Sequence, residues 1–418
     1  MATTIAAPAY WKHVLTVLSG AVGAQALPLL AAPLITRMCT PEDMGAFSVW
    51  LGVAAVVAIA ATLRLEAAMI LDHSNYHQRI CFSVVAYAAS AIAVGASLLA
   101  VAAHLLGLPI AAQMSWVGIA GVGPAIWMIA YMQTTLAYAT SKGAFGKAAS
   151  AKVWAAGSIA LAQLTLLACG AGGASLLIGH LFGLAAGLFA ATFLLQPPRP
   201  RLSLLPTVEA RRYLRRHDAF WRFSLPSNLL NALGGQLPLF MIGARHGALA
   251  AGLFALTQRV LSAPIGLLAA SVLEVFKRQS VLDFRAHGNC RDAYVYTFKA
   301  LCLLGIGPSL VLLLFSPQLF AWVFGNNWRA AGELAQILAP LTFLSFIASP
   351  LSYVFAVAGK QRLDLVWQVA LFAMTVCVFS LPGTLQESIA RYAIGYSLLY
   401  LVYLRMSYLC SQNSKVLA

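Results

Sequence analysis

Apolar residues in this chain come in long unbroken runs rather than in alternation. Stretches such as 80–106 and 333–358 are built of Ala, Leu, Val, Ile and Phe with almost no charge. A half-buried strand needs apolar and polar residues to alternate, and that pattern is missing. A run of about 20 apolar residues is the length of helix that crosses a hydrocarbon core roughly 30 Å thick. Twelve spans are predicted, at 14–36, 44–70, 80–106, 115–139, 153–170, 174–195, 223–244, 248–275, 294–315, 333–358, 364–382 and 389–409. The first follows Lys12 and His13. It is too long for the apolar core of a signal peptide and more spans follow it, so it reads as retained.

The polar positions divide the chain. The longest polar stretch, 196–222, opens with Pro197, Pro198 and Pro200, which end the preceding helix, and continues as VEARRYLRRHDAFWR. Residues 208–222 can form a basic helix lying on a membrane surface. The predicted organisation is a six-helix bundle over 1–196, a basic linker over 197–222 and a second six-helix bundle over 223–418.

Composition makes the membrane reading firm. The 418 residues are 61% hydrophobic and 9% charged, against roughly 25% charged in a soluble domain. In lipid every backbone N–H and C=O must be satisfied internally, and runs of this length select helices over a barrel. The expected fold is therefore an all-α polytopic membrane protein. The seven cysteines show no CxxC spacing and mostly sit in apolar runs, as small buried residues do.

A net charge of +15 would suggest nucleic acid in a soluble protein. Here loop topology explains it. With the N-terminus in the cytoplasm, 20 of the 27 Lys and Arg residues fall on the cytoplasmic side and 4 on the outer side; Arg64, Arg259 and Lys299 lie within spans. That asymmetry sets the orientation, with both termini cytoplasmic, and leaves no nucleic-acid partner to invoke. Anionic membrane lipids remain as partners for the basic segments.

The two halves echo each other. Gln25, Pro28, Gly45, Phe47 and Glu66 recur in order as Gln236, Pro238, Gly252, Phe254 and Glu274, at offsets of 211, 210, 207, 207 and 208 residues. Six spans per half put both halves in the same orientation. The repeat is then parallel, with a pseudo-two-fold axis along the membrane normal and a central cavity between the bundles, as in many transporters.

The segment GAVGAQALPLLAAPLITRMCTPEDMGAFSVW (20–50) resembles the opening of bacterial polysaccharide and O-antigen flippases of the multidrug/oligosaccharidyl-lipid/polysaccharide exporter superfamily. Its specific part is the pattern from Pro33 through Arg37 and Pro41-Glu42-Asp43 to Gly45. TLRLEAAMIL (62–71), LFALTQRVLSAPIGLLAASVLEVF (253–276) and GELAQILAPLTFLSFIASPLSYVFAVAGKQR (332–362) are similar to further family spans. The resemblance implies a flippase that moves an undecaprenyl-pyrophosphate-linked oligosaccharide, an O-antigen or other surface-polysaccharide unit, across the bacterial inner membrane by alternating access. It implies no covalent chemistry, no metal and no cofactor. A polysaccharide polymerase and other assembly proteins are the further partners.

Seven residues are the candidates for substrate binding. Arg259 lies near the middle of a 28-residue span. A charge there costs roughly 3 kcal/mol or more unless paired or hydrated, so it meets either an anionic headgroup or a partner helix. Its planar fork suits phosphate oxygens. Arg64 and Glu66 fall near the cytoplasmic end of span 2, as snorkelling anchors or a cavity entrance; spaced i and i+2, they do not face each other on a helix. Arg37 precedes Pro41-Glu42-Asp43, a run suited to starting a helix, and serves a turn or a gate. Gln25, Asn231 and Gln236 place amides within spans, either between helices or facing the cavity.

Other classes fit less well. A drug or cation exporter of the same superfamily needs buried carboxylates, and only Glu66 and Glu274 are available. An O-antigen polymerase or ligase needs a large outer loop, whereas the longest predicted here, about 316–332, is short. There is no GxxxxGK[ST] phosphate loop, H-E-x-x-H or G-x-S-x-G.

The charge asymmetry yields a direct test. In a background lacking the seven native cysteines, Val208→Cys reacts with a membrane-impermeant thiol reagent only from the cytoplasmic face, and Asn327→Cys only from outside. Both sites reacting from one face overturns the twelve-span arrangement.

Overall fold

A computed structural model describes residues 23, 26–72, 74–108, 111, 114–200 and 208–412. Within them the chain is helical throughout. The helices are α1 (Ala26–Met38), α2 (Pro41–Ala61), α3 (Leu65–Met69), α4 (Asn75–Leu105), α5 (Trp116–Ser141), α6 (Phe145–Ala168), α7 (Ala174–Leu195), α8 (Val208–Arg216), α9 (Leu225–His287), α10 (Arg291–Phe324), α11 (Arg329–Leu351), α12 (Val354–Val357), α13 (Gln361–Ser380) and α14 (Leu385–Gln412). Ten helical stretches are long and apolar enough to cross a membrane, among the described residues. Of the first predicted span, 14–36, residues 14–22, 24 and 25 lie outside the described residues, and 26–36 belong to α1. Spans 7 and 8, predicted at 223–244 and 248–275, follow one another in α9 and are separated by a break at Gly247, whose φ of 84° only a glycine adopts freely. The chain packs as two compact units, residues 1–252 and 253–418.

In the first unit, α2 begins as Pro41-Glu42-Asp43 suggested. Thr40 is the N-cap: its hydroxyl accepts the Asp43 N–H at 3.2 Å, and the Asp43 carboxylate accepts the Thr40 N–H at 3.2 Å. The predicted span 44–70 does not run through. It stops at Thr62, because Leu63 and Arg64 take φ of 51° and 57°. Two successive left-handed non-glycine residues cost energy and persist only where their surroundings hold them. Here the Thr62 hydroxyl accepts the Arg64 N–H at 3.2 Å, and Leu65, Ala68 and Met69 of α3 are fully buried beyond the break. They pack with Cys81, Phe82 and Val85 of α4, and the Cys81 thiol donates to the Leu65 carbonyl.

Close backbone approach governs two seams. Gly179, Gly183 and Gly187 of α7 face α6, where an added Cβ would come within 2.7 Å of Gln163 Cα, 2.3 Å of Ile159 Cα and 2.4 Å of Ala155 Cβ. Gln163 then spans the seam, donating to the Leu176 carbonyl at 3.0 Å. The second seam joins α2 to the last turns of the first unit's share of α9. A Cβ on Gly45 would sit 1.8 Å from the Ala248 carbonyl oxygen, and one on Gly252 would sit 1.8 Å from the Pro41 carbonyl oxygen. Each glycine meets the residue four before the other, a reciprocal contact of the kind two copies of one motif make about a two-fold axis. Gly45 and Gly252 are the pair that the sequence repeat equates.

In the second unit, α11 lies against α10 with Ser316 donating to the Gly332 carbonyl at 2.8 Å, and Thr257 of α9 donates to Ala331 at 2.8 Å. Tyr392, Tyr396, Tyr400 and Tyr403 form a ladder along α14. Trp367 of α13 packs 4.3 Å from Tyr403 and donates to the Leu399 carbonyl, while Tyr403 donates to Asp364. Much of α10 is exposed, as Leu303, Leu310, Leu314 and Trp322 show, which suits a helix against lipid rather than protein.

The α6–α7 seam predicts that Gly183→Leu lowers the thermal unfolding midpoint of the detergent-solubilised protein, through roughly 1–3 kcal/mol of overpacking or more. Gly95→Leu, whose Cβ direction meets open space, leaves it unchanged.

Candidate functional site

The break at Leu63–Arg64 assembles the first part of the site. On a continuous helix Arg64 and Glu66 would diverge, which is what their spacing suggested. The left-handed turn instead swings the guanidinium back, and Arg64 Nη1 donates to Glu66 Oε1 at 2.9 Å. The expectation that they do not meet is corrected by that turn. Glu66 is buried, with 8% of its surface exposed, and the Arg64 side chain is about a third exposed. Arg64 Nε and Glu66 Oε2 are buried without a hydrogen-bond partner among the described residues. The pair therefore holds one charged donor and one charged acceptor unsatisfied inside the protein.

The start of α9 lies beside this break. A π turn at Phe220–Ser224 leads into α9 and packs against α3. Wide turns of this type are frequent at functional sites. From there α9 changes character along its length. Its first turns are open: Pro226, Ser227, Leu230 and Asn231 are exposed, and Gly234 and Gly235 have no atom near their Cβ directions. Towards Gly247 it closes on α2, with Pro238, Leu239, Ile242 and Gly243 buried. Gln236 stands at the transition, its Oε1 against Gly52 of α2. Asn228 donates to the Ser224 carbonyl at 2.8 Å and so supports the wide turn rather than facing outward.

The remaining candidates are placed less closely. Arg37 is exposed at the end of α1. Gln25 lies outside the described residues. Arg259 belongs to the second unit, half-buried on α9 twelve residues beyond Gly247. The first unit thus brings together Arg64 and Glu66, with Asn231 and Gln236 along the neighbouring helix.

A buried polar cluster went unforeseen. Asp72 accepts the Tyr213 hydroxyl at 2.7 Å, and His217 Nε2 lies 3.5 Å from the same oxygen. Gln78 donates to the Asp72 carbonyl at 2.8 Å. Ala210 and Tyr213 of α8 are almost wholly buried in the core formed with α3 and α4, while Arg211, Arg212, Arg215 and Arg216 are exposed. The basic helix expected over 208–222 is therefore shorter, and one face is anchored in protein. Nothing in the sequence pairs Asp72 with residues 141 positions away.

Burial holds His217 below its ordinary pKa of 6.5; the pull of Asp72 works upward, and Arg216 and His77 work downward.

The architecture defines a fold class. The fold is that of transporters of the multidrug/oligosaccharidyl-lipid/polysaccharide exporter superfamily. It is similar to the lipid II flippase MurJ in an inward closed conformation, at 13% identity and a TM-score of 0.71, covering 96% of this chain and 90% of that one. It is similar to a MOP superfamily transporter from Pyrococcus furiosus, at 15% identity and a TM-score of 0.59, covering 95% and 94%. An inward-facing multidrug resistance MATE family transporter matches at 16% identity and a TM-score of 0.57, covering 92% and 93%. These proteins are transporters and a flippase, not enzymes.

Within that class the chain belongs to the polysaccharide biosynthesis protein family, whose sequence profile matches residues 34–333. A relative, the teichuronic acid biosynthesis protein TuaB of Bacillus subtilis (strain 168), is 25% identical over 179 residues. The match spans 42% of this chain and 37% of the length of TuaB.

The docking of α8 carries a pH dependence. Between the unfolded pKa near 6.5 and the lower folded one, the unfolded chain binds the extra proton, so the stability from neutral His217 is full above pH 6.5 and falls as pH drops. The unfolding midpoint in detergent should decrease from pH 7.5 to 5.5, and decrease less in His217→Gln. An equal decrease in both proteins excludes His217 as the source.

Proposed function

We propose that this protein is a flippase that carries an undecaprenyl-pyrophosphate-linked oligosaccharide, a repeat unit of O-antigen or another surface polysaccharide, from the cytoplasmic to the outer leaflet of the bacterial inner membrane. The observation that carries the reading is Arg259: a cation well inside an apolar helix, in a family of polysaccharide biosynthesis proteins. A charge in that position is expensive and marks a substrate pathway by default. A guanidinium there offers its paired N–H groups to pyrophosphate oxygens.

The Arg64–Glu66 pair adds a complementary surface. Its orphaned Nε donates to a phosphate or sugar oxygen, and its orphaned carboxylate oxygen accepts from a sugar hydroxyl. Asn231 and Gln236 add amides beside that pair, and Arg37 and Gln25 are the further candidates for contact with the headgroup. The fold's likeness to a lipid II flippase supports the same direction of thought. Movement follows from alternating access of the halves 1–196 and 223–418 about the linker 197–222, with both termini cytoplasmic.

No ATP motor is needed within the chain. The protein lowers the barrier for a charged, sugar-bearing headgroup to cross hydrocarbon, while the polyprenyl tail stays in lipid. Export of a cationic drug is disfavoured, because the buried carboxylate Glu66 is already engaged by Arg64.

Arg259 is the residue to test, in a deletion strain complemented with each variant. Arg259→Ala should reduce surface polysaccharide by roughly 10- to 100-fold, the worth of a charge-assisted contact, with normal protein in membrane immunoblots. Arg259→Lys should keep partial activity, since a point charge remains and the fork is lost. Arg259→Glu should be inactive. A purely structural ion pair gives another pattern, in which abundance falls together with activity. Full activity in well-expressed Arg259→Ala removes the basis for an anionic substrate.

A further inference from the structure

The second unit contains a groove that the transport reading does not use. It lies between the start of α10 and the end of α14, has a volume of about 320 Å³, and is lined by Tyr294, Val295, Phe298, Leu404, Arg405 and Tyr408. Its wall is apolar although two tyrosines form part of it. The Tyr294 hydroxyl is turned into the protein, 2.8 Å from Ser407 Oγ and 3.1 Å from the Leu404 carbonyl. Its ring stands 5.7 Å from that of Tyr408. Arg405 borders the groove with the apolar stem of its side chain; the residue is exposed and in no ion pair among the described residues, so its guanidinium can reach the groove mouth.

The level of this groove in the membrane follows from α10. Its 34 residues make a helix about 50 Å long, more than the roughly 30 Å core needs. The apolar run begins after Lys299, and the first turns carry Arg291, Asp292, Tyr294, Tyr296 and Lys299. Tyrosine and lysine collect at the headgroup level. The groove mouth therefore stands in the headgroup band and its body reaches into the acyl region. On the orientation set by the charge asymmetry, that band is the inner leaflet. Three cations, Arg291, Lys299 and Arg405, stand there against one carboxylate, Asp292.

We propose that this groove binds an anionic phospholipid of the inner leaflet, its phosphate on Arg405 and the upper part of one acyl chain along Val295, Phe298 and Leu404. A basic residue at the mouth of an apolar cleft between helices is the arrangement that holds such headgroups. The site is independent of the flippase reading, since it stands or falls by lipid binding alone. Its effect is to join the start of α10 to the end of α14, where the Cys290 N–H already donates to the Ser411 carbonyl at 2.9 Å.

The test uses full-length protein, delipidated in detergent, and its thermal unfolding midpoint. Added phosphatidylglycerol should raise the wild-type midpoint by roughly 2–4 °C at saturating lipid, while phosphatidylcholine and inorganic phosphate should not. Arg405→Gln, a surface change, should keep the midpoint in plain detergent and lose most of the gain. Phe298→Trp, which fills the groove, should lose it with Arg405 in place. Native mass spectrometry should show one fewer retained anionic lipid in Arg405→Gln. Equal gains from the two lipids, a gain from inorganic phosphate alone, or an undiminished gain in Arg405→Gln each overturns the proposal; the last would move the effect to other basic surfaces such as α8.

Discussion

Hydrocarbon offers no hydrogen bond to a peptide group, and the layout of this chain follows from that constraint. Helices meet it by pairing their own N–H and C=O groups. Departures from helix must then be sheltered or lie where water reaches. The two conspicuous departures in the first unit, the left-handed turn at Leu63–Arg64 and the π turn at Phe220–Ser224, pack together at one end of it. Each has its own local support: the Thr62 hydroxyl accepts the Arg64 N–H, and the Asn228 amide donates to the Ser224 carbonyl. The cluster of Asp72, Tyr213 and His217 then fastens α8 beside them. A single end of the bundle thus gathers the irregular backbone, the buried charges and the basic linker.

Helix association in lipid also lacks a hydrophobic driving force, so it relies on close contact of backbones. The glycine seam between α6 and α7 answers that need, with Gln163 as a polar tie across it. The Gly45–Gly252 crossing is different in kind. It is tight at one end of α9's first leg, while the other end, around Asn231, Gly234 and Gly235, stands open. Packing that is graded along a helix gives a cleft with a closed tip and an open mouth. The glycines make the closed tip possible, because any side chain there would hold the backbones apart.

The sequence made the spans legible because charge depletion over about 20 residues has few explanations other than lipid. Gly45 and Gly252, the glycines that the sequence pairs, meet in a reciprocal contact. The site was legible only in part. Arg64 and Glu66 stood out as charges in an apolar run, yet their contact was hidden: the i, i+2 rule presumes a helix, and the chain breaks that helix with two residues, Leu and Arg, that seldom adopt a left-handed turn. The Asp72–Tyr213–His217 cluster left no trace in spacing, since its members come from a short turn and a linker that looked merely basic. Gly247 was hidden for the opposite reason; the sequence suggested a loop, and the structure replaces it by one residue's worth of positive φ.

The ion pair in the break bears on how a flippase releases what it binds. A transported headgroup must be held strongly enough to leave the leaflet and weakly enough to depart again. An isolated buried arginine meets the first demand and fails the second, because removing phosphate would strand an uncompensated charge in a poorly solvated place. Glu66 changes that balance. With its carboxylate at 2.9 Å, Arg64 retains a partner whether or not a headgroup is present, so departure of an anion leaves a pair rather than a lone cation. The orphaned Nε and Oε2 atoms keep the pair incompletely satisfied, which preserves some attraction for a ligand carrying both phosphate oxygens and sugar hydroxyls. On the flippase reading, a strained turn that brings opposite charges together supplies moderate affinity where a bare cation would supply too much.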